Sequence, residues 1–218
     1  MNPWTQIALP DYEGHMALPS IGQAAMLADE FHKAVAARQP KSVALLGCAG
    51  GNGLDALYGS GVDRIVCVDI NPTYLATLQQ RHQAELPGLE CHACQMETFR
   101  SPSPVELVFG GLIFEYTRLE EALESVALLL THGGDFYALL QLPVTGLATV
   151  SPSPYVQALT GVAAFFRYVD PRTMIGLAEA KQLQLVEDRL IRLASGKSFA
   201  LLRFRRGRSS SRAEGDGK

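Results

Sequence analysis

The stretch Val43–Leu57, VALLGCAGGNGLDAL, constrains this chain more than any other. A short apolar run, Val43 to Leu46, ends in a loop carrying Gly47, Gly50, Gly51 and Gly53, and an apolar helical pattern resumes at Leu54. Strands buried on both faces read as continuous apolar runs, so Ser42–Leu46 is expected to be a central strand. Glycines let a loop adopt positive φ and lie close to a ligand, whose polar groups then meet bare backbone N–H groups at a helix N-terminus. A second apolar run, Arg64–Val68, follows and ends on Asp69 in VCVDINP. Strand, glycine loop, helix, strand, acid is the order of a βαβ unit that holds an adenosine-type cofactor, the acid taking the ribose hydroxyls.

Two cofactor classes share this order. Gly51–Ala56, GNGLDA, matches the dinucleotide fingerprint G-x-G-x-x-G/A, and Asp69 lies near the ~20 residues beyond it that the fingerprint asks for. A better fit begins at Gly47, directly after the strand, and reads Gly47-x-Ala49-x-Gly51 followed by Asn52 and Gly53. That segment resembles motif I of the class I S-adenosylmethionine-dependent methyltransferases, with Asp69 at the position of their motif II acid. The resemblance spans roughly Lys41 to Arg203, its specific residues lying between Val43 and Pro72. Three positions depart from the pattern: Leu45 stands where many members carry an acid, Ala49 replaces the middle glycine, and Cys94 or Gln95 stands where an acid often ends the third strand.

The resemblance implies S-adenosylmethionine as cofactor and methyl transfer as activity. It places the methionine portion along Gly47, Cys48, Ala49, Gly51 and Asn52, the ribose at Asp69 beside Ile70, and the adenine against Cys94, Gln95 and Met96. Gly110-Gly111, after the fourth strand, would approach from below. Sulfonium chemistry needs alignment and exclusion of water more than a strong catalytic group, which explains why no catalytic signature stands out. An oxygen or nitrogen acceptor must still lose a proton, and His15, Glu13 and Glu115 are the candidate bases. Tyr12, Tyr116 and Gln141 are the candidate acceptor contacts.

Composition narrows the rest. At 218 residues, 47% hydrophobic and 19% charged, the chain suits one α/β domain with a small cover. A formal charge of −3 argues against a nucleic-acid binder. No apolar run reaches the ~20 residues of a membrane span, and the N-terminus has neither a basic nor an apolar signal region. Four cysteines, Cys48, Cys67, Cys91 and Cys94, fall in or beside core strands, as small buried thiols do in a reducing compartment. A cytoplasmic protein is expected. Cys91-His92-Ala93-Cys94 has no second pair to complete a zinc site, and residues three apart on a strand face opposite ways, so no metal is expected.

Residues 1–40 read as an N-terminal lid and helix. Prolines 3, 10 and 19 and Gly14 break the first segment, which nevertheless carries Trp4, Tyr12, His15 and Met16; a helix then follows from Ser20 as N-cap. From 41 to 205, strands and helices alternate. Further strands are expected at Leu89–Cys94, Val105–Phe109 and Phe136–Leu142, with His132-Gly133-Gly134 stopping the helix Leu119–Leu130. Pro143–Pro154 is loop-rich, Tyr155–Phe166 is helical, and Asp170-Pro171 opens the last helix. Leu183–Leu193 and Ser198–Phe204 are separated by four residues, which permits only an antiparallel hairpin. The expected fold is α/β and Rossmann-like: a doubly wound, mostly parallel seven-stranded sheet ending in an antiparallel hairpin, with helices on both faces. Residues 206–218 are polar and expected to be disordered.

The best-supported function is methylation of a small molecule. Its rivals are an NAD(P)-dependent oxidoreductase, which the absence of a Tyr-x-x-x-Lys pair disfavours, and a protein that binds S-adenosylmethionine without turnover. GGLIFEY after the fourth strand departs from the N/D-P-P-Y/F of nucleobase amino methylation.

Overall fold

The structure, a computed structural model, describes residues 2–207. Of the tail 206–218 expected to be disordered, Arg206 ends the last strand and the Gly207 N–H donates to the Gln182 carbonyl at 2.9 Å, while 208–218 lie outside the described residues. Strands β1 Ser42–Leu46, β2 Arg64–Asp69, β3 Leu89–Ala93, β4 Val105–Gly111, β5 Leu130–Leu142, β6 Leu183–Arg192 and β7 Ser198–Arg206 form one sheet in the order 3-2-1-4-5-7-6. Strands β1 to β5 run parallel, and β7 pairs antiparallel with both β5 and β6. The reversal of strand order between β1 and β4 opens a crevice at their carboxyl ends, the usual ligand position in such sheets.

Side chains alternate across the sheet and build two cores. Val43, Leu45, Ile65 and Phe109 face one layer with Phe31 and Leu78, whereas Ala44, Leu46, Val66 and Val108 face the other with Leu123 and Met174. The first layer is covered by helices α2 Gln23–Arg38 and α3 Pro72–His82, the second by α4 Leu119–Leu129 and α6 Pro171–Ala180. Asn71 caps α3, its side chain accepting from Thr73 N and Tyr74 N, with Pro72 in the first turn as the sequence indicates.

Several elements differ from the sequence-based expectation. The N-terminal segment is helical: a 3-10 turn at Pro3–Gln6 precedes α1, Leu9–Ala17, which contains the whole DYEGHM stretch. Both prolines sit in first turns, where the missing N–H has no intrahelical partner to lose. Helix α2 begins at Gln23 after the left-handed Gly22 rather than at Ser20. The glycine loop leads into one 3-10 turn, Leu54–Leu57, because α2 already fills the space beside β1, packing Phe31 and Val35 with Leu54 and Leu57. Strand β5 begins directly after α4, so His132-Gly133-Gly134 lies in the strand, and its register against β4 shifts between Val105 and Leu107. The expected helix Tyr155–Phe166 shrinks to α5, Thr160–Ala163.

The start of β3 is held by a tight approach: a Cβ on Gly88 would lie 2.0 Å from the Asp63 carbonyl oxygen, while the Gly88 carbonyl accepts from Ile65 N at 2.9 Å. Gly88→Ala must therefore displace backbone between β2 and β3. It is expected to lower stability by about 2 kcal/mol or more in urea denaturation; an unchanged midpoint would contradict this packing.

Candidate active site

Asp69 closes β2 at the crevice and holds three segments together. Its Oδ2 accepts the Ala49 N–H at 2.9 Å and its Oδ1 accepts the Asn71 N–H at 2.9 Å. Ala49 adopts φ 45°, a conformation costly for a residue with a side chain, and the bond to Asp69 helps to hold it there. Asn71 in turn donates from Nδ2 to the Trp4 carbonyl at 3.0 Å. Burial raises the Asp69 pKa against the opposing pull of these backbone donors.

Two cavities flank this point and share Tyr12, Gly47, Ala49 and Gly111 in their walls. The first, about 470 Å³, is lined by the loop Gly47–Asn52, by Glu13 and Met16 of α1, and by Leu27, Leu45 and Arg81. The second, about 420 Å³, is lined by Asp69, Ile70, Cys94, Gln95, Met96, Ile113, Glu115, Tyr116 and Trp4. Of the residues singled out in the sequence, Gly47, Cys48, Ala49, Gly51 and Asn52 line the first, and Asp69, Ile70, Gln95 and Met96 the second. Gly110 lines neither; its α-carbon faces the Phe114 ring, and Gly111 lines both instead. Asn52 lends its side chain to α2, donating from Nδ2 to the Ala24 carbonyl at 2.9 Å.

The three candidate bases are separated. Glu13 is bound to Arg81 by two contacts of 2.5 and 3.0 Å. His15 lines a small third cavity of about 60 Å³, with Nδ1 2.8 Å from Ser153 Oγ. Burial, then the Lys197 charge, lowers its pKa, so His15 is neutral at physiological pH. Glu115 alone lines the second cavity. It is 1% exposed; Oε1 accepts the Gln141 N–H at 2.7 Å, while Oε2 is buried with no hydrogen-bond partner among the described residues. Burial pushes its pKa up to about 7, against the Gln141 and its own backbone donors.

Gln141 sits behind Glu115 rather than in the cleft. Its Oε1 lies 3.4 Å from both Gln23 Nε2 and Lys197 Nζ, and its Nε2 donates to the Thr149 carbonyl at 2.9 Å. Tyr12 and Tyr116 line the second and third cavities, with Trp4 edge-on between them. Burial is the main cause of the raised pKa of both phenols, which keeps them protonated. Residues not singled out as site residues from the sequence also matter here. Trp4 was visible only as an aromatic in a proline-rich segment. Arg81 and Tyr74, whose hydroxyl donates to the Ile7 carbonyl at 3.0 Å, carry no local signal, because their partners lie more than sixty residues away.

Glu115 makes the fold pH-dependent. An unfolded carboxyl ionises near its ordinary value of 4.5, whereas the folded one holds its proton to about 7. Stability is therefore unaffected by Glu115 below the lower value and declines as pH rises between the two, by about 3 kcal/mol in full. Glu115→Gln keeps an oxygen for Gln141 and cannot ionise. It is expected to raise stability by about 1–3 kcal/mol at about pH 8 and to change it little at about pH 4; equal effects at both would contradict the burial of a charge.

Residues 43–134 match the family model for a methyltransferase domain. No curated protein sequence matches the chain. Among solved structures, the fold is similar to the N-methyltransferase NodS from Bradyrhizobium japonicum WM9 in complex with S-adenosyl-L-homocysteine, with TM-score 0.64 and 15% identity over 84% of this chain and 87% of that one. It is also similar to magnesium protoporphyrin IX methyltransferase from Synechocystis PCC 6803 with bound SAH, with TM-score 0.64 and 13% identity over 86% and 84%. The [4+2]-cyclase SpnF shares the fold as well, with TM-score 0.62 and 9% identity over 83% and 82%. The sequence match to a methyltransferase domain runs across the glycine loop and Asp69, and the fold around it is the one shared by these S-adenosylhomocysteine-bound methyltransferases.

Proposed function

We propose that this methyltransferase acts on a small molecule bound in the 420 Å³ cleft, with Glu115 as the proton acceptor. The observation that carries this reading is the cleft itself, whose one lining includes both Asp69 and Glu115, the latter with a buried Oε2 that has no hydrogen-bond partner among the described residues. A fold that also hosts a cyclase does not by itself assign a reaction, so the argument rests on these residues.

The walls suit the methyl donor. Gly47 has φ 67°, and a Cβ there would lie 2.9 Å from Ile113, so the loop presents bare backbone to the cleft. Each Asp69 oxygen accepts one backbone N–H and keeps a lone pair for a ribose hydroxyl. Leu45, with Leu27 beside it, offers no charge to the amino-acid end, but Glu13 and Arg81 line the same cavity and supply one of each sign. When bound, the donor supplies an electrophilic methyl on a sulfonium. Cys94, Gln95 and Met96 would flank the adenine, and Ile70 the ribose.

Residues 1–40 act in this reading as a lid on the domain 41–205. The lid is tied down by Glu13 to Arg81, by Tyr74 to the Ile7 carbonyl and by Asn71 to the Trp4 carbonyl. It brings Trp4 and Tyr12 to the acceptor and keeps water out, which strengthens the field of every charge inside. Gln141 positions Glu115, and Tyr116 walls the acceptor side. All four cysteines are free, which fits a reducing compartment such as the cytoplasm. No described helix is long and apolar enough to cross a membrane.

The test is release of S-adenosylhomocysteine from S-adenosylmethionine across a panel of small amines, phenols and carboxylic acids. Glu115 must be ionised to accept a proton, so the rate with a productive acceptor is expected to rise with pH through about 7 and level off. Glu115→Gln is expected to lower the rate about 100-fold or more with donor affinity kept. His15→Ala should leave the shape of the pH profile intact. A slope that vanishes with His15→Ala and survives Glu115→Gln would transfer the role to the histidine.

A further inference from the structure

Building on that reading of the cleft, we infer that the methyl acceptor is an amine that enters as its ammonium ion, held by the Glu115 carboxylate against the rings of Trp4, Tyr12 and Tyr116. Glu115 is the unbalanced charge of the cleft. Its Oε2 is buried and has no partner among the described residues, and the hydrogen bond from Gln141 N at 2.7 Å goes to the other oxygen. A buried carboxylate so poorly compensated is costly unless a cation or a proton meets it. The other lining charges do not fill that role. Both Asp69 oxygens already accept a backbone N–H, from Ala49 and from Asn71, and Glu97 Oε1 accepts from Arg118 N at 3.2 Å. Arg118 and Arg167 lie on the exposed rim, Arg118 doubly bound to Glu121 at 2.6 Å.

The neighbouring wall is aromatic. Trp4 meets Tyr12 with ring centroids 5.7 Å apart at 83°, and Tyr116 at 5.0 Å and 88°. All three line the cleft. Aromatic faces attract cations, more strongly when both are desolvated. A carboxylate acceptor would be repelled by Glu115, and a neutral hydroxyl would leave the buried charge uncompensated. An ammonium satisfies the carboxylate and the rings together. The Trp4 Nε1–H, buried and without a hydrogen-bond partner among the described residues, remains available to an oxygen elsewhere on the same molecule.

The chemistry balances. The ammonium passes a proton to Glu115 Oε2, freeing the nitrogen lone pair. That pair forms the N–C bond as the C–S bond of the donor breaks, and the bonding pair stays on sulfur. The methylated nitrogen carries the positive charge, and Glu115 returns its proton to water when the product leaves.

Trp4 is the one tryptophan of the chain, so its fluorescence reports on this wall directly. The full chain, loaded with S-adenosylhomocysteine at about pH 8, where Glu115 is ionised, is titrated with benzylamine, benzyl alcohol and benzoate. Benzylamine is expected to bind about tenfold or more tightly than benzyl alcohol, with benzoate weakest. Glu115→Gln is expected to abolish the preference while leaving the affinity for S-adenosylhomocysteine unchanged. Equal or tighter binding of the alcohol or benzoate overturns the inference, as does a preference that survives Glu115→Gln, or no response from Trp4 to any of the three. Loss of the amine preference with S-adenosylhomocysteine bound overturns the amine alone. Failure of S-adenosylhomocysteine to bind at all removes the proposed function and this inference together.

Discussion

The Asp69 carboxylate is the joint on which the site depends. One oxygen fixes Ala49 in the glycine loop and the other fixes Asn71 at the head of α3. Through Asn71 the same joint reaches the Trp4 carbonyl, so loop, helix and N-terminal segment are held by one residue at the end of β2. Two backbone donors to one charged group are among the stronger hydrogen bonds a protein makes. They offset part of the cost of burying the charge and of holding Ala49 at positive φ. Asp69 thereby lines the cleft and ties the backbone around it, so losing it would loosen the loop.

Glu115 represents the opposite arrangement. Its carboxyl is buried, with one oxygen satisfied by the Gln141 N–H and the other without a hydrogen-bond partner among the described residues. Burial of this kind costs stability near neutral pH and raises the pKa into the range where a carboxyl can exchange protons with an acceptor. Helix α1 and the 3-10 turn before it contribute Tyr12 and Trp4 to the aromatic wall of the same cleft. Hydrogen bonds from Asn71, Tyr74 and Arg81 and the His15–Ser153 contact hold this segment to the rest of the chain, together with apolar packing of Ile7 on Leu159 and Val162 and of Leu9 on Ala49 and Tyr74.

Much of the architecture was legible in the sequence because it follows local rules. Apolar runs ending in Gly47 and Asp69 marked the parallel strands, Pro72 and Asp170-Pro171 marked helix starts, and a four-residue link marked the antiparallel hairpin. The differences arise where tertiary packing or proline chemistry overrides local pattern. DYEGHM folds as helix because Pro10 occupies a first turn. The turn after the glycine loop stays short because α2 occupies the neighbouring face. That the glycine loop and Asp69 line the crevice was readable from motif spacing. The separation of His15, Glu13 and Glu115 was not, since it depends on contacts of His15 with Ser153, Glu13 with Arg81 and Glu115 with Gln141, each distant in sequence.

The most direct measurement is calorimetric titration of the full chain and of Asp69→Ala with S-adenosylhomocysteine and with NADH. S-adenosylhomocysteine should bind the wild type, NADH should not, and Asp69→Ala should lose about 2–3 kcal/mol or more of donor affinity. Preferential binding of NADH, or an Asp69→Ala dissociation constant equal to that of the wild type, would contradict the placement of the methyl donor between the glycine loop and Asp69.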